Sequence, residues 1–274
     1  MVVFPNCKIN LGLNIIRKRE DGYHDLETVF YPLSLRDALE AIRSPDSTGN
    51  NGIHFTQSGI LIPGDHSTNL CVKAWHLLRK DFPQMGPVTC HLHKVIPMGA
   101  GLGGGSADGA FMLQLLNQLY HLGMEEKDLR EYALQLGSDC PFFISNTPCF
   151  ATGRGEILEP YPIDLSAYRI ILVNPGIHIS TAQAFAGIQP TRPGVSISRI
   201  LQQPVAEWRD QLFNDFEKSL SQIHSKLAAI KTALYDQGAV YASLTGTGST
   251  VYGLFDKNHP QPFVPHSDWK VYEG

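Results

Sequence analysis

The chain has 274 residues, 43% hydrophobic and 18% charged, with 22 basic against 26 acidic side chains and a formal net charge of −4. Such a composition excludes a disordered or collagen-like chain, and the mild acidity lacks the basic footprint of a nucleic-acid binder. No apolar run approaches the roughly 20 residues a membrane helix needs, and the N-terminal MVVFPNCKINLG lacks the order of a secretory signal, so a cytoplasmic protein of one large or two small domains is expected.

The five cysteines, Cys7, Cys71, Cys90, Cys140 and Cys149, are odd in number and contain no C-x-x-C pair. Neither a disulfide framework nor a structural zinc site follows from them, and a reducing compartment is the natural setting. His91 and His93 share a face if 88–93 is a strand, but no third ligand lies nearby and no metal site is assigned.

In chain order, residues 44–67 are rich in Gly, Ser, Asn and Pro and read as hairpins with long loops. A helix is expected over 68–82, with Leu70, Ala74, Leu77 and Leu78 on one side, and a strand over 87–96. After a glycine-rich loop, a helix from about 106 to 122 would bury Phe111, Leu115, Leu119 and Leu122, with Ser106 as its N-cap. A second helix over 125–136 ends at Gly137. Prolines and glycines cluster near 147–166 and place a domain boundary around 155, giving domains 1–155 and 156–274. Beyond it come a buried strand at 168–173, one long amphipathic helix over 216–237, and two strands at 239–245 and 250–255 about a Gly-Thr-Gly turn. The fold class is α+β, in two halves.

Five of the seven positions 99–105 are glycine. The plain reading is a flexible turn between strand and helix. The functional reading is a phosphate cradle, since glycines let backbone N–H groups approach an anion and the following helix adds its positive end. Gly99, Gly101 and Gly104 satisfy G-x-G-x-x-G, yet the dinucleotide fingerprint wants an acidic residue ending a second strand about 20 residues on, and Glu125 and Glu126 open a helix instead. The Walker pattern fails because Gly104 is followed by glycine rather than lysine.

The run Pro97-Met98-Gly99-Ala100-Gly101-Leu102-Gly103-Gly104-Gly105-Ser106 resembles the P-x-x-x-G-L-G-x-S-S/A motif of the GHMP kinases, small-molecule kinases that use ATP. Residues 6–14 (NCKINLGLN) followed by Asp21-Gly22-Tyr23-His24 resemble the opening of one branch of these kinases, whose alcohol substrate carries a cytidine diphosphate group. Residues 245–250 (TGTGST) resemble the third GHMP motif, with Thr247 in place of a serine. The resemblance spans residues 6 to about 255 and implies an N-terminal ATP-binding domain and a ferredoxin-like C-terminal domain.

The same resemblance assigns roles. Asp139, in Leu136-Gly137-Ser138-Asp139-Cys140-Pro141 between a helix and an expected strand PFFI, is the implied catalytic base; by local sequence alone it is a solvated turn aspartate. Lys8 and Asn10 share one strand face by alternation; the resemblance pairs Lys8 with Asp139 near the acceptor oxygen and has Asn10 orient the substrate. His24 would hydrogen-bond a cytosine edge while Tyr23 and Phe185 stack on the ring. Backbone groups of Pro97, Met98, Gly99, Ala100, Gly101, Leu102, Gly103, Gly104, Gly105, Ser106 and Ala107 would hold the phosphates of ATP as its Mg²⁺ complex, with Asn69 and Lys94 lining the adenine side. Competing expectations are a GHMP kinase with another alcohol acceptor, a nucleotide-binding sensor without catalysis, and, more remotely, a dehydrogenase.

Overall fold

The computed structural model describes residues 1–44, 52–191, 193–258 and 262–274. The chain divides into two compact units: residues 1–7, 35–98 and 103–147 form the first, and residues 8–34, 99–102 and 148–274 the second. The sequence suggests a single break near 155, but the chain crosses between units earlier. The reason is strand pairing: Thr28–Phe30 lie antiparallel to Cys149–Ala151, which binds an N-terminal hairpin to the C-terminal half.

The strands of the first unit are β1 (Val2–Val3), β4 (Ala38–Arg43), β5 (Ile53–Gly59) and β6 (Val88–Lys94), in the order β1-β4-β6-β5. The helices are α1 (Leu70–Asp81), α2 (Gly104–Tyr120), α3 (Glu126–Leu136) and the single turn α4 (Phe142–Ser145). The expected hairpin region falls partly outside the described residues, at 45–51; the described part is no hairpin, because β5 runs parallel to β6. Parallel neighbours need a crossover, and α1 supplies it. Alternation in β6 buries Val88, Cys90, Leu92 and Lys94 and leaves His91 and His93 on the other face, where the Ser58 hydroxyl bonds both imidazoles at 2.9 Å.

Three local expectations are corrected. The buried face of α2 carries Ala107, Asp108, Met112, Leu113, Leu115 and Leu116, whereas Phe111 and Leu119 are only half-buried: the helix begins two residues early and packs on more than one neighbour, so a single stripe underestimates it. Its N-cap is Gly103, not Ser106. PFFI is the short helix α4, since Pro141 already lies in the helical region at φ −57°, ψ −31°.

The second unit holds two sheets. One contains β2 (Asn6–Lys18, whose first two residues belong to the first unit), β3 (His24–Arg36, whose last two do), β7 (Cys149–Thr152) and β8 (Ile157–Pro160), in that order. The other is antiparallel, with β9 (Tyr168–Asn174), β10 (Tyr241–Leu244), β11 (Val251–Asp256) and β12 (Lys270–Glu273) in the order β10-β11-β9-β12. The helices α5 (Thr181–Ala186), α6 (Ile197–Ile200), α7 (Phe216–Ile223) and α8 (Ser225–Asp236) complete the unit. Phe216, Leu220, Leu227, Ile230 and Leu234 from α7 and α8 share a core with Ile171, Val173, Leu244, Val251 and Phe255 of the antiparallel sheet. The long helix expected over 216–237 is thus two helices. His224 breaks it at φ −126°, ψ 83°, and Ile223, apolar and in register with the stripe, turns outward at 67% exposure. Among the described residues no helix is long and apolar enough to cross a membrane.

Candidate active site

Strand β6 of the first unit is followed by the glycine loop, whose residues 99–102 belong to the second unit, and α2 begins where the chain is back in the first unit. Gly103 caps the helix at φ +71°, a left-handed conformation that glycine adopts without steric cost. The first intrahelical bond runs from the Ala107 N–H to the Gly103 carbonyl, so the N–H groups of Gly104, Gly105 and Ser106 have no partner within the helix. They project from the positive end of a 17-residue helix, the arrangement that attracts phosphate. A Cβ on Gly105 would meet no atom within 4 Å, so this side of the first turn is open. The Ser106 side chain hydrogen-bonds the Cys140 thiol, which burial pushes up to about 12. That contact brings the turn carrying Asp139 beside the first turn of α2, and Asp139 is half-exposed there.

Beneath the first turn of α2 lies a buried ionic triad. The Lys94 ammonium is wholly buried and donates to Asp37 Oδ2 at 2.5 Å and Asp108 Oδ2 at 2.6 Å. Asp37 Oδ1 accepts from the Val95 and Ile96 N–H groups at 2.6 and 2.9 Å, which ties the end of β6 to the start of β4. A Cβ on Gly104 would approach Lys94 Nζ to 3.0 Å and Ile96 Cγ2 to 2.7 Å, so glycine is required for the helix to sit this low. Burial pulls the Lys94 pKa down, but Asp108 and Asp37 outweigh it and hold it above the ordinary lysine value. Burial drives Asp108 up to about 7 despite Lys94, and its Oδ1 is buried without a hydrogen-bond partner. Lys94 is expected to line the adenine side; its ammonium is taken up by two carboxylates, which leaves its backbone for that role. Asn69 is half-buried, and its side-chain oxygen caps α1 by accepting from the Cys71 N–H at 2.8 Å.

In the second unit, Lys8 is 3% exposed, with its ammonium donating to Asn10 Oδ1 at 2.7 Å and the Gly101 carbonyl at 3.2 Å, and lying 4.9 Å over the Phe30 ring. Asn10 is buried, and its amide nitrogen donates to Thr28 Oγ1 at 3.0 Å. The Thr245 hydroxyl lies within 3.2 Å of both Asn10 Oδ1 and the Gly101 carbonyl. With both ends of its amide engaged, Asn10 holds Lys8 in place. Of the third glycine motif it is thus Thr245 that reaches this cluster, and neither it nor Thr28 of β3 carried an assigned role in the sequence. Asp37 and Asp108 carried no signal, since they stand 57 and 14 residues from Lys94.

The same unit brings together the expected base-binding residues. The His24 ring stacks on Phe185 with centroids 4.6 Å apart and planes 23° from parallel, and Phe185 packs edge-on against Phe216 of the core. Burial, aided by Lys18, lowers the His24 pKa, so the imidazole is neutral at pH 7. Tyr23 is 55% exposed on the adjoining turn. Among the described residues no group of three or more His, Cys, Asp or Glu is placed to hold a metal ion.

Fold and glycine loop together define a small-molecule kinase. Residues 69–147 match the GHMP kinases N terminal domain, and residues 197–264 the GHMP kinases C terminal domain. A 4-diphosphocytidyl-2-C-methyl-D-erythritol kinase of Bacteroides thetaiotaomicron is 51% identical over 269 residues, which cover 98% of this chain and 96% of that protein. A crystal structure of a 4-(cytidine 5'-diphospho)-2C-methyl-D-erythritol kinase superposes with a TM-score of 0.78 at 31% identity, covering 93% of this chain and 90% of that one. The mevalonate kinase of Methanococcus jannaschii, at 12% identity and a TM-score of 0.70 over 100% of this chain and 97% of its own, shares the fold. The chain belongs to the 4-diphosphocytidyl-2-C-methyl-D-erythritol kinase family of the GHMP kinases.

Proposed function

We infer that the chain transfers the γ-phosphoryl group of ATP, bound as its Mg²⁺ complex, to the 2-hydroxyl of 4-diphosphocytidyl-2-C-methyl-D-erythritol, a step in isoprenoid precursor synthesis. The observation that carries this reading is the base-sized aromatic set: Tyr23 and His24 follow directly on Asp21-Gly22, and Phe185, 161 residues further along the chain than His24, stacks on that imidazole. A neutral imidazole both donates and accepts hydrogen bonds, as a cytosine edge requires, and flat aromatic faces suit a pyrimidine.

Phosphoryl transfer asks for alignment and charge neutralisation rather than covalent chemistry. The N–H groups at the start of α2, which have no partner within the helix, and the adjoining glycine loop hold the phosphates. The Ser106 hydroxyl, at the start of α2, would be the group to reach a phosphate oxygen or the magnesium ion that accompanies ATP. Lys8, fixed by Asn10 and Gly101, neutralises charge on the transferring group, and Asp139 takes the acceptor proton as the new P–O bond forms. The five cysteines are all free, which suits a cytoplasmic protein. A transfer assay with a panel of alcohols decides the acceptor: phosphorylation of the cytidine diphosphate ester, with competition by CMP, is expected. Transfer to another alcohol without such competition would overturn the substrate assignment.

A further inference from the structure

We propose that Arg154 is a positioning residue for the nucleobase end of the substrate, holding the Tyr23 ring so that one face is covered by the guanidinium and the other is presented to the pyrimidine. The proposal rests on the assignment of Tyr23, His24 and Phe185 to the base. Tyr23 sits on an exposed turn, with its backbone N–H on Asp21 Oδ1 at 3.1 Å. A ring so exposed has freedom to lose on binding, and any contact that fixes it beforehand reduces that cost. The Arg154 guanidinium carbon lies 4.9 Å from the Tyr23 ring centroid, within the range of a cation–π contact.

Arg154 is itself fixed. It lies in the turn between β7 and β8, where its backbone N–H donates to Glu156 Oε2 at 2.5 Å and its Nε to Glu156 Oε1 at 3.4 Å, and its side chain is only 29% exposed. That turn is fastened beside the start of β3 by the Leu26 N–H on the Gly153 carbonyl at 2.7 Å, two residues beyond His24. The guanidinium is thus held by the hairpin, and the hairpin by the strand that begins at the base site. The turn closes through the Arg154 backbone N–H on Glu156, while the guanidinium pairs with the same carboxylate through Nε and faces the Tyr23 ring with its carbon.

The test is steady-state kinetics on the full chain. Arg154→Met keeps the aliphatic stem and removes the cation, and the KM for the cytidine diphosphate substrate should rise about two- to fivefold, the size of a partly exposed cation–π contact. The KM for ATP, kcat and Tm should stay near wild type, and Arg154→Lys should restore most of the loss. In a Tyr23→Ala background, Arg154→Met should have no further effect. An unchanged KM, equal rises for both substrates, or a full Arg154→Met effect in the absence of the Tyr23 ring would overturn the proposal while leaving the base site in place. If Tyr23→Ala alone fails to raise the KM, the base-site assignment itself falls and takes the proposal with it.

Discussion

Replacing Asp108 by asparagine probes the buried triad at the first turn of α2. With all three groups ionised, Lys94, Asp37 and Asp108 leave a net negative charge where all three side chains are at most 4% exposed. Burial raises the Asp108 pKa from 3.8 to about 7, and that interval corresponds to about 4 kcal/mol removed from the folded state once Asp108 is ionised. Between those values the native chain holds a proton that the unfolded chain has released. Stability therefore falls as pH rises through this window and levels off above about pH 7. Asparagine is neutral throughout and keeps an oxygen for Lys94, at the loss of part of a charge-assisted bond worth about 1.5–3 kcal/mol. At pH 8.5 the variant should then be more stable than wild type by about 1–3 kcal/mol, and at pH 5 no more stable than wild type. Urea denaturation of both proteins at the two pH values measures this, and groups that titrate alike in both cancel in the difference. A stability difference independent of pH would refute the reasoning.

Gly105→Ala places a methyl group in the open space at the start of α2, so the fold should gain up to about 1 kcal/mol of helix propensity while ATP affinity in calorimetry drops about tenfold. This probe is cleaner than a substitution at Gly103, whose φ of +71° strains any side chain. His24→Ala should raise the KM for the cytidine substrate by about 1–3 kcal/mol of lost hydrogen bonding, with ATP affinity intact. Because the His24 pKa is lowered from 6.5, the midpoint of any rise in the wild-type KM on acidification should lie below pH 6.5. Asp139→Asn should lower kcat by roughly 10²–10⁴ at saturating substrates, Lys8→Met similarly, and the double variant little further; near-normal kcat in folded Asp139→Asn would remove it from the mechanism.

Much of this was legible along the chain because it is local. The strand–loop–helix at 88–120, the capped helix at 126–136 and the antiparallel pair at 241–256 follow from periodicity and glycine placement. The glycine run could be read as a candidate phosphate loop because such a role resides in consecutive backbone groups. Other features depend on which surfaces meet. Apolar spacing over 216–237 is the same for one helix or for two broken at His224, and only packing against the sheet decides. Lys94 reads as a ligand on a strand near a nucleotide loop, and only the tertiary structure seats it between Asp37 and Asp108. Thr28 and Thr245 become holders of Asn10 by long-range contact. The sequence by itself determined the glycine loop between strand and helix and the residue types proposed for kinase chemistry, because these are written in contiguous motifs. The tertiary structure alone decided which charges are neutralised in the interior, because burial makes an ammonium and its carboxylates interdependent across any distance in the chain.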